Sequence, residues 1–155
     1  MNDTAPRANE HQDNIPAARP APAQLGVRDG DPMNPNHALL YIEDQESNIA
    51  LVRAIIRRRP QVELHVAMTG CDGVKAAIDI QPGLILLDNH LPDATGSKIL
   101  RELASTSSTA SIPVVILSGD AGEVVEELLA SGAVESVPKP FNIHQFIDII
   151  DRYLA

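Results

Sequence analysis

The sequence predicts an α/β domain over residues 37–155, built on a doubly wound, five-stranded parallel sheet in the order 2-1-3-4-5. Three observations predict it. Short apolar runs alternate five times with amphipathic stretches of helical period, the pattern of strand-helix units whose strands run parallel. The first, third and fourth runs are apolar throughout, as strands covered on both faces are, whereas the second and fifth are half polar, as edge strands are. The third run, LILLD, ends on Asp88, at the strand edge where open sheets of this kind place their sites.

Each element follows from its residues. Ala38–Ile42 (ALLYI) is the first strand, closed by Glu43 and Asp44, and Ser47–Arg59 has apolar residues at helical spacing. Arg57, Arg58 and Arg59 end that helix, where cations complement its dipole. Val62–Ala67 alternates apolar and polar residues, so the second strand is half exposed. A helix over Cys71–Ile80 starts with a small, buried or half-buried cysteine, and Gln81-Pro82-Gly83 breaks it before the central strand. Pro92 and Gly96 then delay the next helix to about Ser97–Ser105, and STSSTAS forms a polar loop. PVVIL is the fourth strand, stopped by Ser118. The helix Ala121–Ser131 turns Val124, Val125, Leu128 and Leu129 inward. Ala133–Val137 is the fifth strand, and Asn142 caps a last helix with Ile143, Phe146, Ile147, Ile150 and Leu154 on its inner side. Ile149 and Tyr153 fall beside that stripe and are read as part of a broad core face rather than as a small exposed patch for a homodimer or partner contact, so a monomer or a weak homodimer is expected.

Composition excludes several functions. Residues 1–36, with six prolines and six alanines and no apolar periodicity, form a Pro/Ala-rich tail too poor in apolar surface to offset its ordering entropy. Residues 37–155 carry 16 acidic and nine basic side chains, a net −7, with no Trp, so the domain lacks the basic stripe and stacking platform of a nucleic-acid binder. A single cysteine makes no internal bridge, no window reaches the roughly 18 apolar residues of a membrane span, and no secretion signal stands at the start, so a cytoplasmic protein without membrane contact is expected.

Parallel strands all end on one side of the sheet. Glu43 and Asp44, Asp88, Ser118 and Lys139, distant in sequence, therefore become neighbours. Three carboxylates against one ammonium leave that pocket near −2, and two like charges about 4 Å apart at an effective dielectric of about 20 repel by roughly 4 kcal/mol. An all-oxygen cluster of this charge suits a hard cation, Mg²⁺ before Zn²⁺. Beside such an ion Asp88 is an ionised carboxylate able to attack phosphorus, with Lys139 and Ser118 placed to hold the oxygens of the transferred group.

The series YIEDQESN, LILLDNHLPDATG, VVILSGDA and VPKPF resembles the receiver domains of two-component response regulators, including those of hybrid histidine kinases, over about residues 38–154. The resemblance implies a flavodoxin-like receiver fold and transfer of a phosphoryl group from phosphohistidine to aspartate. Asp88 matches the acceptor, Asp44 the direct metal ligand, Glu43 the acid that helps through water, and the backbone carbonyl of His90 the third protein ligand. Ser118 matches the switch hydroxyl and Lys139 the phosphoryl-binding lysine, and the Lys139–Pro140 bond is commonly cis in the family. The implied partners are a histidine kinase or histidine phosphotransfer protein and a downstream protein target. Such a protein catalyses phosphorylation and dephosphorylation of its own aspartate without turning over a separate substrate.

Three departures from the family pattern bear on function. Glu43 replaces the more usual aspartate. Ser136 stands where receivers usually carry the aromatic ring that couples the switch hydroxyl to the face of the fourth helix, fifth strand and fifth helix, which suits a phosphoryl shuttle or sink, or a signal sent through another surface. His90 and Asp120 stand at positions that in receivers flank the path of an attacking water, and with Gly119 between Ser118 and Asp120 the resemblance makes them modulating positions. His90 is expected as a solvent-facing loop residue; Asp120 either hinders anionic donors or orients water. With no output domain in the sequence, function is expected to run through a partner protein. Two other classes compete. A pseudo-receiver keeps the fold as a protein-interaction module without phosphorylation, and an aspartate-nucleophile phosphatase would prefer a second aspartate at the position of His90.

Overall fold

The computed structural model describes residues 37–154, so the expected tail at 1–36 lies outside the described residues. Five strands, β1 (Ala38–Ile42), β2 (Glu63–Ala67), β3 (Leu84–Asp88), β4 (Val114–Ser118) and β5 (Glu135–Pro138), form one parallel sheet in the order β2-β1-β3-β4-β5. They alternate with α1 (Glu46–Ile56), α2 (Gly70–Ile80), α3 (Gly96–Ser105), α4 (Glu123–Ala130) and α5 (Ile143–Leu154). Every residue of β1, β3 and β4 is buried, and the half-polar strands β2 and β5 sit at the two edges, as their sequences require.

Strand alternation divides the core into two layers. Leu39, Tyr41, Leu84 and Leu86 face α1 and α5, packing with Ile49, Val52, Phe146 and Ile150, while Leu40, Ile42, Ile85 and Leu87 face Ala77, Ile99, Leu100 and Leu128 from α2, α3 and α4. Close approach of α2 to β1 requires a glycine: a Cβ on Gly73 would lie 2.5 Å from Ile42 Cδ1.

Element ends differ from the sequence expectation for local reasons. Helix α1 stops at Ile56, and Arg57–Arg59 follow in a tight turn whose Arg58 and Arg59 N–H groups donate to Ile55 and Ile56 carbonyls; Pro60 then forbids continuation. Helix α4 starts only at Glu123, because Gly122 at φ 66° cannot be helical. Gly132 at φ 120° ends it, and Ala133, expected in the last strand, instead donates its N–H to the Leu128 carbonyl as part of the helix terminus. The polar loop after α3 folds back on itself: buried Thr109 donates its hydroxyl to the Leu103 carbonyl at 2.7 Å.

Three burial expectations are corrected. Only Leu128 of α4 is buried, whereas Val124 and Leu129 are exposed at 40% and 42%, because an eight-residue helix at the sheet margin offers one narrow face to the core. Ile143, expected on the inner side of α5, is exposed at the start of that helix, whereas Ile149 is 1% exposed and Tyr153 packs against the core, giving α5 the broad core face expected of it. Cys71 is exposed, since the inner side of α2 falls on Gly70, Gly73 and Ala77. Among the described residues no helix is long and apolar enough to cross a membrane.

Candidate functional site

The sheet ladder runs past the ends of the strands and fixes the backbone of each pocket residue. Glu43 N–H donates to the Ala67 carbonyl at 2.9 Å, Asn89 N–H to Leu117 at 3.4 Å and Lys139 N–H to Ser118 at 2.8 Å. The expected residues thus meet at the carboxyl edge of the sheet: Glu43 and Asp44 after β1, Asp88 at the end of β3, Ser118 at the end of β4 and Lys139 after β5. Carboxylate oxygens of Glu43, Asp44 and Asp88 lie within 4.8 Å of one another. Lys139 Nζ bridges two of them, at 3.0 Å from Glu43 Oε2 and 3.0 Å from Asp88 Oδ1. The Lys139–Pro140 peptide is cis.

Glu43 is fully buried, and both its oxygens are engaged. Oε1 accepts from the backbone N–H groups of Asp44 and Gln45, and Oε2 from the Tyr41 hydroxyl, Asn48 Nδ2 and Lys139. Burial pushes its carboxyl up, but the Lys139 and Gln45 hydrogen bonds outweigh this and hold it below the ordinary value. Burial also raises the Asp88 carboxyl; Lys139 opposes the shift, the Glu43 charge adds to it, and the net direction is upward. For Lys139 burial works downward, but its hydrogen bonds to Glu43 and Asp88 win and raise it. The Tyr41 hydroxyl is pushed up by burial and by the adjacent Glu43 charge. Asp44 differs from its neighbours: its Oδ1 is buried without a hydrogen-bond partner, directly beside the other two acids.

Tyr41 and Asn48 were not singled out from sequence. A signal existed for Tyr41: a hydroxyl inside an aliphatic strand needs a partner, and two residues along a strand put Glu43 on the same face.

A second cluster gathers around Asp120 and includes Ser118. Asp120 Oδ2 accepts from Asn89 Nδ2 at 2.8 Å, from His90 Nε2 at 2.7 Å and from the Ser118 hydroxyl at 3.0 Å, and the Asp120 N–H donates back to Ser118 Oγ at 2.9 Å. The Asn89, Ser118 and His90 hydrogen bonds hold the Asp120 carboxyl below its ordinary value. The His90 ring does face solvent, yet it is paired. Gly119 is exposed and not at positive φ, and a Cβ there would touch nothing within 4 Å. Ser136 lies on β5 opposite Ile116 and is partly exposed.

The loop after Asp88 is pinned from both sides. Gly96 N–H donates to the Asn89 carbonyl, and the Asp93 carboxylate caps α2 by accepting from Gly70 and Cys71 N–H at 2.7 and 2.9 Å. These N–H groups hold the Asp93 carboxyl below its ordinary value. A depressed carboxyl contributes stability above its unfolded-state pKa of about 3.9 and loses it as pH falls through the folded value. A carbon-13 titration is therefore expected to place the Asp93 midpoint below about 3.9; a midpoint at or above that would remove the cap. At Gly96 a Cβ would lie 2.6 Å from Asn89 Oδ1 and 3.2 Å from its Cα. Gly96→Ala is thus expected to push Asn89 off Asp120 and to lose about 1–2 kcal/mol in urea unfolding, and an unchanged midpoint would show that the loop yields freely.

Fold and pocket together define a doubly wound α/β domain with a lysine-closed acidic site at the carboxyl ends of its strands. The family model of the response regulator receiver domain matches residues 39–151. The polar-differentiation response regulator DivK of Brucella ovis is 28% identical over 119 residues, 76% of this chain and 96% of that protein. A protein-glutamate methylesterase/protein-glutamine glutaminase of Geobacter metallireducens is 28% identical over 111 residues, 71% of this chain and 30% of that protein, so the chain spans less than a third of that relative. Among solved structures, the receiver domain of a sensor histidine kinase of Pseudomonas aeruginosa, with a magnesium ion coordinated in its active site cleft, superposes with a TM-score of 0.69 at 24% identity, covering 76% of this chain and 96% of its own. The chain belongs to the response regulator receiver domain family of two-component signalling.

Proposed function

We propose that this receiver accepts a phosphoryl group on Asp88 from a histidine kinase or histidine phosphotransfer protein, in the cytoplasm where ATP charges such donors, and works as a shuttle, sink or protein-binding switch. An Asp88 carboxylate oxygen attacks phosphorus, the bond from phosphorus to the donor imidazole nitrogen breaks, and the imidazole keeps that electron pair and takes up a proton. Asp88 carries the reading because it combines a strand-end position with an ammonium at 3.0 Å and an unpaired buried acid oxygen beside it. Lys139 then moves from bridging two carboxylates to holding a phosphoryl oxygen, and Ser118 donates to another.

The residues fit Mg²⁺. Asp44 Oδ1 is a buried oxygen lacking a partner, within an all-oxygen donor set suited to a hard cation. Asp44, Asp88 and the His90 carbonyl would hold the ion, and Glu43, whose oxygens are already engaged, would act through water. When bound, the ion neutralises charge that develops on the transferred group.

Coupling to the α4–β5–α5 face is weak in this reading. The four aromatic residues of the chain, Tyr41, Phe141, Phe146 and Tyr153, all lie outside β4, α4 and β5, and Phe141 is stacked on Phe146 at 5.0 Å between centroids. Beryllofluoride with Mg²⁺ tests site and coupling together. Amide shifts are expected to concentrate at residues 88–90, 118–120 and 139, with smaller changes over 123–154. Equal changes over 123–154 would refute weak coupling, and no metal-dependent shift anywhere would favour a pseudo-receiver that acts as a protein-interaction module.

A further inference from the structure

We infer that Asp120 is a latch on Ser118, a positioning residue that holds the serine hydroxyl away from the transferred group until the acceptor is modified. The inference rests on Asp88 being the phosphoryl acceptor. A serine hydroxyl has one hydrogen, and here it is given to Asp120 Oδ2 at 3.0 Å, while Ser118 Oγ is held from the other side by the Asp120 N–H at 2.9 Å. The acceptor is ionised, which strengthens the bond. Ser118 is 1% exposed, so no bulk water replaces either partner.

The carboxylate is itself anchored. Asn89 and His90 donate to the same Oδ2 at 2.8 and 2.7 Å; because a carboxylate oxygen has no hydrogen to give, His90 Nε2 carries one. Both anchors directly follow Asp88 in the chain. A phosphoryl oxygen that recruits the Ser118 hydroxyl must take it from Asp120, and in doing so frees one of the three bonds on Asp120 Oδ2, the other two being those that tie residues 89–90 to it. Modification of Asp88 and opening of this latch are therefore coupled, each favouring the other.

Simple charge repulsion between Asp120 and an anionic donor would also slow phosphorylation, and a double-mutant cycle separates the two. Rates of mass gain with acetyl phosphate and Mg²⁺ are compared for wild type, Asp120→Ala, Ser118→Ala and the double variant. The latch predicts about tenfold faster gain in Asp120→Ala, the worth of one charge-assisted hydrogen bond, and less than twofold change when Asp120→Ala is added to Ser118→Ala. His90→Ala is expected to accelerate less and to depend on Ser118 in the same way. Equal acceleration in both backgrounds would assign the effect to charge alone and overturn the latch, as would no acceleration in either. No gain in wild type would overturn the acceptor reading itself, a failure visible without any variant. A metal-free readout stands beside the rates: the Asp120 amide is expected to exchange with solvent about tenfold faster in Ser118→Ala, and an amide already unprotected in wild type would contradict the latch.

Discussion

Glu43→Ala is expected to lower the free energy of unfolding by about 3–4 kcal/mol, the largest loss from any single polar replacement in the domain. The change strands five donors at once: the Tyr41 hydroxyl, two backbone N–H groups, the Asn48 amide and the Lys139 ammonium. Tyr41 is completely buried in the layer beneath α1 and α5, so its hydroxyl has no route to bulk water. Lys139 keeps Asp88, which limits the loss. Glu43→Gln is expected to lose less, because the amide oxygen still accepts, although its NH₂ group faces either Lys139 or the backbone donors. Urea unfolding of the three proteins checks the order, and a Glu43→Ala midpoint equal to wild type would show that Glu43 is not the structural hub of the pocket.

Asp88→Asn is expected to act oppositely on stability and completely on chemistry. The Asp88 carboxyl is raised by burial and by the Glu43 charge despite Lys139, so at neutral pH the ionised acid is held at some cost. The sign follows: a carboxyl raised on folding destabilises the fold when it is ionised, above its folded value, and a neutral isostere removes that penalty. Lys139 then serves Glu43 alone. Stability is expected to rise while phosphoryl gain disappears, since an amide is no nucleophile toward phosphorus at neutral pH. Loss of stability in Asp88→Asn would mean that the Lys139–Asp88 pair is a structural contact rather than a strained, reactive one.

These contrasts mark how far the amino-acid sequence is legible. Strand order followed from burial alone, because Leu84–Leu87 and Val114–Leu117 carry no polar side chain while Glu63 and Glu135 do. The meeting of Glu43, Asp44, Asp88, Ser118 and Lys139 followed from topology, since parallel strands must end on one edge. What escaped was contact-level. Three donors converging on one oxygen of Asp120 depend on the path of two loops, which apolar periodicity does not encode. The faces of α4 and α5 are less legible for a related reason: Leu129 and Ile143 both satisfy helical spacing, and only the seat of each helix on the sheet decides which residues are buried. Cys71 was misplaced because glycines take the inner positions of α2.

The most direct test of the central claim is intact mass after incubation with acetyl phosphate, for wild type and Asp88→Asn, with and without Mg²⁺. A gain of one phosphoryl group is expected in wild type, requiring Mg²⁺ and absent in Asp88→Asn. No gain in wild type under any condition, or a gain that survives in Asp88→Asn, would contradict it.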